Sequence, residues 1–173
     1  MTADLGKDTF VNWLFEINLI YREIDFTMEH LHEWMADECV DTPMSIGPAK
    51  SYIVKEPLGV VVIFGAWNFP MTTPLSPVIS AMAAGNTVVL KPSELSPHTS
   101  SVMQILFDKI LDPDCYVCVN GGIQVAIRAS QLKADFISFT GSTDKGRLIA
   151  KAAAENLVPV MLELGGQCPM IVD

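Results

Sequence analysis

The sequence predicts an α/β fold: a parallel sheet of about five strands with helices on both faces, behind an N-terminal helical segment. Three observations predict it. From residue 57 onward, short β-branched runs alternate with helical patterns, the mark of βαβ units. Several of those runs are apolar at nearly every position, as strands covered on both faces are. Residues 8–36 show a helical period instead.

The elements follow in order. Residues 8–36 read as helix, with Phe10, Trp13, Leu14, Ile17, Ile20 and Tyr21 on one side. Ile24, Met28, Leu31 and Met35 form a second apolar face. "DECVDTPMSIGPAK" reads as a Pro/Gly loop. "GVVVIF" is a strand, followed by a helix over 74–84 that ends near Gly85. "NTVVL" is a strand and 97–110 a helix; "YVCVN" is a strand and 123–131 a short helix. "DFISFT" is a strand, 143–156 a helix, and "VPVMLEL" the final strand. Right-handed crossovers place every carboxyl end on one edge of the sheet, where ligands bind.

Composition narrows the function. Half of the 173 residues are hydrophobic, enough for a sizeable core. A mean hydropathy of +0.34 is high and points to a surface that meets a partner or a further domain. The net charge of -9 argues against nucleic acid and against anionic membrane. No charge occurs from Pro57 to Leu90, but the unbroken apolar run "LGVVVIFGAW" falls short of the roughly 20 residues of a membrane span. Asn68, Pro70, Pro74 and Pro77 then interrupt any continuous helix. The N-terminus has no secretory pattern, and a cytoplasmic location is expected.

No metal site is expected. Cys115 and Cys118 have C-x-x-C spacing without a second pair, and on a strand they point to opposite faces. A reduced, buried pair is the expectation. His30 and His32 diverge on a helix.

Chemistry collects just after the strands: "GAWNFP", "KPSE", "NGG", "TGSTDKG" and "LELGGQ". Any one of these is ordinary loop punctuation, and "TGST" alone is a helix cap. Five in order after five strands are more than punctuation. In this order and spacing, "GAWNFP", "LKPSELSP", "FTGSTDKG" and "LELGG" resemble the aldehyde dehydrogenases. "KPSELS" and "EPLGVVVIFGAWNFP" are most similar to the class 3, fatty and aromatic aldehyde, branch. The resemblance runs from about "ADLGK" to the end and implies a partial aldehyde dehydrogenase fold with a Rossmann-like sheet.

What the resemblance implies about chemistry is specific. A thiolate adds to an aldehyde, hydride passes to nicotinamide, and water hydrolyses the thioester. Asn68 matches the asparagine whose amide binds the developing oxyanion, a task suited to a neutral donor. Glu163 matches the general base. Its neighbours Met161, Leu162 and Leu164 predict a desolvated, and so more basic, carboxylate. Lys91 and Glu94 match the pair that grips the adenine ribose, which favours NAD, with NADP as the alternative. Gly141 and Ser142 sit at a helix mouth where free N–H groups meet a pyrophosphate, and Gly146 allows close approach. Phe64, Gly65, Ala66, Trp67, Ser93, Phe139, Thr140 and Leu164 complete the implied cofactor contacts. No G-x-G-x-x-G occurs.

Two departures stand out. Gln167 and Cys168 follow "LELGG" where the family usually carries Lys or Asn and then a small residue. Cys168 lies too near Glu163 to match the family nucleophile, expected some thirty residues further on by the same resemblance. The implied organisation is residues 1–56 as N-terminal helices with a lead-in strand and 57–168 as a dinucleotide-binding domain. Residues 169–173 would open a catalytic domain that is absent. Two readings follow. One is the cofactor part of an enzyme that oxidises an aldehyde, a small-molecule substrate, to a carboxylic acid once the thiol-bearing remainder is supplied. The other is a shortened, non-catalytic dinucleotide binder or subunit of a larger assembly.

Overall fold

In a computed structural model, residues 1–172 are described. The N-terminal segment runs through α1 (Thr2–Leu5), α2 (Thr9–Asn12), a π-helical turn (Trp13–Ile17) and α3 (Asn18–Met35). Next, β1 (Glu38–Val40) pairs antiparallel with β2 (Ser51–Ile53), Cys39 opposite Tyr52. Only β1 falls within the expected loop, and it is too short to announce itself by alternation; β2 lies just beyond it, before residue 57.

The predicted alternation then appears in full. β3 (Val60–Phe64) leads to α4 (Thr72–Ala83), β4 (Thr87–Lys91) to α5 (Pro97–Ile110), and β5 (Tyr116–Cys118) to α6 (Ile123–Ser130). β6 (Phe136–Gly141) leads to α7 (Thr143–Ala154), and β7 (Val160–Leu164) closes the sheet. The order is β5-β4-β3-β6-β7, with every pairing parallel. β3 is central, and all carboxyl ends lie on one edge.

Alternation along each strand splits the core into two layers. Val61, Ile63, Val88 and Leu90 pack with Val78, Met103 and Phe107 on the α4–α5 side. Val62, Phe64, Ile137 and Phe139 pack with Ala129, Ile149 and Ala153 on the α6–α7 side. Each fully buried aliphatic side chain contributes about 1.5–3 kcal/mol.

Four expectations are corrected. Pro74 and Pro77 do not interrupt α4. Pro74 lies in the first turn, where a missing N–H costs nothing, and the buried Val78 and Ala81 carry the helix past Pro77. The inference about membranes is unaffected, because no helix among the described residues is long and apolar enough to cross one. The cysteines are not a buried pair: Cys118 is buried, but Cys115 precedes β5 and is only half-buried.

The third correction concerns the N-terminal helix. Phe10, Trp13, Leu14 and Tyr21 are exposed, as are Ile24, Met28 and Met35. The docked face is the stripe Asn12, Glu16, Ile20, Glu23, Thr27 and Leu31, spaced three or four apart, in which only Ile20 and Leu31 come from the expected apolar faces. It docks through hydrogen bonds alongside apolar contact: Ile17 packs against the core, and the Ser76 hydroxyl donates to Glu23 at 2.6 and 2.7 Å. The fourth is Glu163, whose carboxylate is exposed, as are Met161 and Leu164. The apolar run around it does not desolvate it within these residues.

Candidate functional site

The loop after β3 is held at each peptide. Gly65 donates its N–H to the Lys91 carbonyl at 3.1 Å. A β-carbon on it would lie 2.7 Å from Cβ of Pro74, so glycine is what admits the start of α4 here. Ala66 donates to Oγ1 of Thr73 at 2.9 Å. Trp67 is exposed, and its carbonyl accepts from the buried Ser96 hydroxyl at 3.0 Å. Asn68 is exposed, and its carbonyl accepts from Nζ of Lys7. Its side-chain amide has no partner among the described residues.

The loop after β4 carries the charge. Lys91 ends the strand 3% exposed, and its ammonium donates to the Pro92 carbonyl at 2.8 Å and to Oε2 of Glu94 at 2.9 Å. One ammonium proton has no partner among the described residues. Partial burial of the Glu94 carboxyl pushes its pKa up. Its own backbone N–H, the hydrogen bond and charge of Lys91, and the charge of Lys145 together outweigh that and hold it below the usual range. Ser93 is half-buried; its hydroxyl accepts from the Leu95 N–H at 3.3 Å, and its carbonyl from the Ser100 hydroxyl at 2.9 Å.

Gly141 ends β6 and Ser142 caps α7, its Oγ accepting from the Lys145 N–H at 3.5 Å. The N–H groups of Thr143 and Asp144 have no partner within the helix. A β-carbon at Gly141 would sit 2.7 Å from the Phe139 ring, and one at Gly146 2.6 Å from Cδ2 of Leu164. Gly141 thus makes room for a ring of its own strand, and Gly146 of α7 for a side chain of β7. Phe139 in turn lies 6.1 Å from Phe64, ring centre to ring centre.

Strand alternation divides the expected residues between two faces. Phe64, Phe139 and Leu162 share the α6–α7 layer; Leu164, two residues beyond Leu162, covers Gly146 of α7. Thr140 and Glu163, paired across β6 and β7, line a groove of about 590 Å³ beside Thr72, Thr73 and Ser76 of α4. Asn68 does not line that groove. Of the residues expected to touch a cofactor, Phe64, Phe139 and Leu164 therefore lie on one face, whereas Thr140 lies on the other with the expected base.

The donor set fits a dinucleotide. A cation and an anion 2.9 Å apart offer donor and acceptor to a diol, and the free N–H groups of α7 offer an anion site near the same edge.

A parallel α/β sheet with its polar loops on one edge defines a ligand-binding α/β protein. The aldehyde dehydrogenase family model matches residues 1–173. Aldehyde dehydrogenase family 3 member H1 of Arabidopsis thaliana is 43% identical over 170 residues, covering 98% of this chain and 35% of that protein. The substrate-bound state of Staphylococcus aureus AldH aligns with a TM-score of 0.95 at 40% identity, over 99% of this chain and 38% of that one. A Mycobacterium tuberculosis aldehyde dehydrogenase complexed with NAD+ aligns with a TM-score of 0.83 at 27% identity, over 95% and 34%. The chain belongs to the aldehyde dehydrogenase family. It spans about a third of the length of the curated relatives it matches.

Sequence reasoning missed four residues that build this edge. Ser96 joins the two loops, Thr73 binds the first, and Lys7 and Glu16 reach it from the N-terminal segment. Asn12 and Glu16, polar at i and i+4 inside an apolar helix, were the available signal.

Proposed function

We propose that the chain is the cofactor-binding part of an NAD(P)-dependent aldehyde dehydrogenase that oxidises aldehydes to carboxylic acids. The observation that carries this is the Lys91–Glu94 pair at the carboxyl end of β4. The pair holds the ribose of the cofactor, with Ser93 and the N-terminus of α7 beside it and Phe64, Phe139 and Leu164 behind. A carboxylate there repels a 2′-phosphate, which favours NAD over NADP. When bound, the nicotinamide supplies the hydride acceptor.

The chain's own groups do the rest. The Asn68 amide donates to the oxyanion that develops on the aldehyde oxygen. Glu163, exposed at the end of β7, takes a proton from the water that releases the acyl group. The thiolate comes from outside the part matched here, so the 173-residue chain alone binds cofactor without turning over aldehyde. Residues 1–56 form the N-terminal segment, 57–168 the dinucleotide-binding domain, and 169–173 the lead into the catalytic domain. Four free cysteines support a reducing compartment such as the cytoplasm.

The exposed apolar stripe of the N-terminal helix favours a second reading, a subunit that binds dinucleotide within a larger assembly. Titration of the purified chain with NADH tests both. Saturable binding, weakened about tenfold by Glu94→Ala, is expected from the loss of one charged hydrogen bond. No saturation at millimolar NADH overturns the cofactor site. Thiol-dependent turnover of an aldehyde by the chain alone overturns the division of labour.

A further inference from the structure

Two carboxylates of the N-terminal segment do work that neither helix they touch does for itself. The N-cap positions of α4 and α5, Met71 and Ser96, supply no side-chain cap. Glu16 accepts from the N–H groups of Met71 at 2.8 Å and Thr72 at 3.3 Å. Asp4 accepts from the N–H groups of His98 at 2.9 Å and Thr99 at 2.8 Å. Each carboxylate thus fills the orphan donors of a helix that begins just after one of the site's loops.

Glu16 is 1% exposed and lies in the π-helical turn, an irregularity often found at functional sites. Its other oxygen binds Nζ of Lys7 at 2.9 Å. That ammonium lies 4.0 Å from the centre of the Phe69 ring and donates to the Asn68 carbonyl. The carbonyls of residues 66–69 all have donors: Thr73 for Ala66 and Phe69, Ser96 for Trp67, and Lys7 for Asn68. Lys7 is the charged donor among them, and it serves the peptide that carries the proposed oxyanion amide.

We propose that Lys7 and Glu16 are positioning residues that fix the Asn68 peptide and so aim its side-chain amide at the reacting carbonyl. Lys7 clamps the carbonyl of Asn68, and Glu16 anchors both Lys7 and the amides at the start of α4. The assignment rests on the oxyanion role proposed for Asn68, but the clamp itself is measurable without any reaction.

Hydrogen–deuterium exchange of residues 66–72 reads the clamp in the chain, and steady-state kinetics of the full-length protein carrying this segment reads its consequence. Lys7→Met and Glu16→Gln are expected to speed exchange in 66–72 at least about tenfold while β4 and β6 stay protected. In the kinetics they lower kcat roughly ten- to a hundredfold and leave the KM for cofactor unchanged. Lys7→Arg restores most of both. Should Lys7→Met fail to fold, Glu16→Gln and Lys7→Arg carry the comparison. Parent-like exchange in 66–72, protection lost evenly across the sheet, or an unchanged kcat overturns the proposal. A parent protein that binds no dinucleotide sinks the proposed function instead and leaves the exchange result standing.

Discussion

At the scale of single residues, burial separates thiols and carboxylates that look alike in the sequence. Burial pushes the Cys118 thiol up to about 12, with the charge of Asp108 adding to it, while Cys39 and Cys168 are exposed. Alkylation by iodoacetamide near pH 8 should modify Cys39 and Cys168 and spare Cys118, as peptide mass mapping will show. Asp4 is the converse. Burial pushes its carboxyl up, but the Thr99 hydroxyl and the N–H groups of His98 and Thr99 outweigh that and hold it below its ordinary 3.8. A depressed folded value means its contribution is complete above about pH 3.8 and is lost as pH falls through the lower folded pKa. Asp4→Ala should cost about 1–2 kcal/mol at neutral pH, measured as a urea midpoint, and that difference should shrink as pH falls below about 3.8. The burial of Cys118 was expected from the sequence; the setting of Asp4 was not legible, because "ADLGK" gives no hint that its Asp lies against a helix start 95 residues on.

At the scale of elements, the end of α7 carries an unusual residue. The Val158 N–H bonds the Ala153 carbonyl at 3.0 Å and the Leu157 N–H bonds that of Ala154 at 3.2 Å, the paired bonds of a Schellman end. The left-handed position of that motif normally holds glycine. Here it is Leu157, at φ 55 and 90% exposed. Its side chain gains nothing by burial and strains the backbone, so Leu157→Gly should stabilise the protein by about 1 kcal/mol in chemical denaturation. The strands and the later helices were readable within a few residues because their apolar runs and Gly/Pro breaks are local signals. The β1–β2 hairpin was not, since three-residue strands leave too few positions for alternation to show. Nor was the docked face of the N-terminal helix. Apolar periodicity marks Phe10, Trp13 and Tyr21, whereas the bonds of Glu16 and Glu23 help decide which side meets the sheet domain.

At the scale of the whole molecule, the N-terminal segment and the sheet domain form one unit. Deleting residues 1–17 removes both helix caps and the Lys7–Glu16 pair, and should lower stability by about 2–4 kcal/mol as a shift in urea midpoint. If the segment were an appendage, the midpoint would not move. The candidate site divides in the same way between what is local and what is not. Lys91 with Glu94 and Ser142 with Gly146 sit close together in sequence and were readable as motifs. The placement of Glu163 beside Thr140, on the face opposite Phe64 and Phe139, follows from strand alternation and from the register of β6 with β7, which no motif encodes. The same holds for the exposure of Glu163: the flanking Leu162 and Leu164 both point to the face opposite it and do not surround it.

The strand order also sets a timetable for synthesis. The chain makes β3, β4 and β5 in succession and can zip them outward on one side as they emerge. The other edge of β3 stays bare until β6 appears, since the Val60 N–H waits for a carboxylate 75 residues later. At ~5–20 residues per second, that interval lasts roughly 4–15 s on the ribosome. For that time the most buried strand of the finished sheet is an open, apolar edge, the kind that pairs with the wrong chain. A ribosome paused just before residue 136 should therefore hold a nascent chain that binds a holdase chaperone. One paused well beyond residue 164, with β6 and β7 clear of the exit tunnel, should release it.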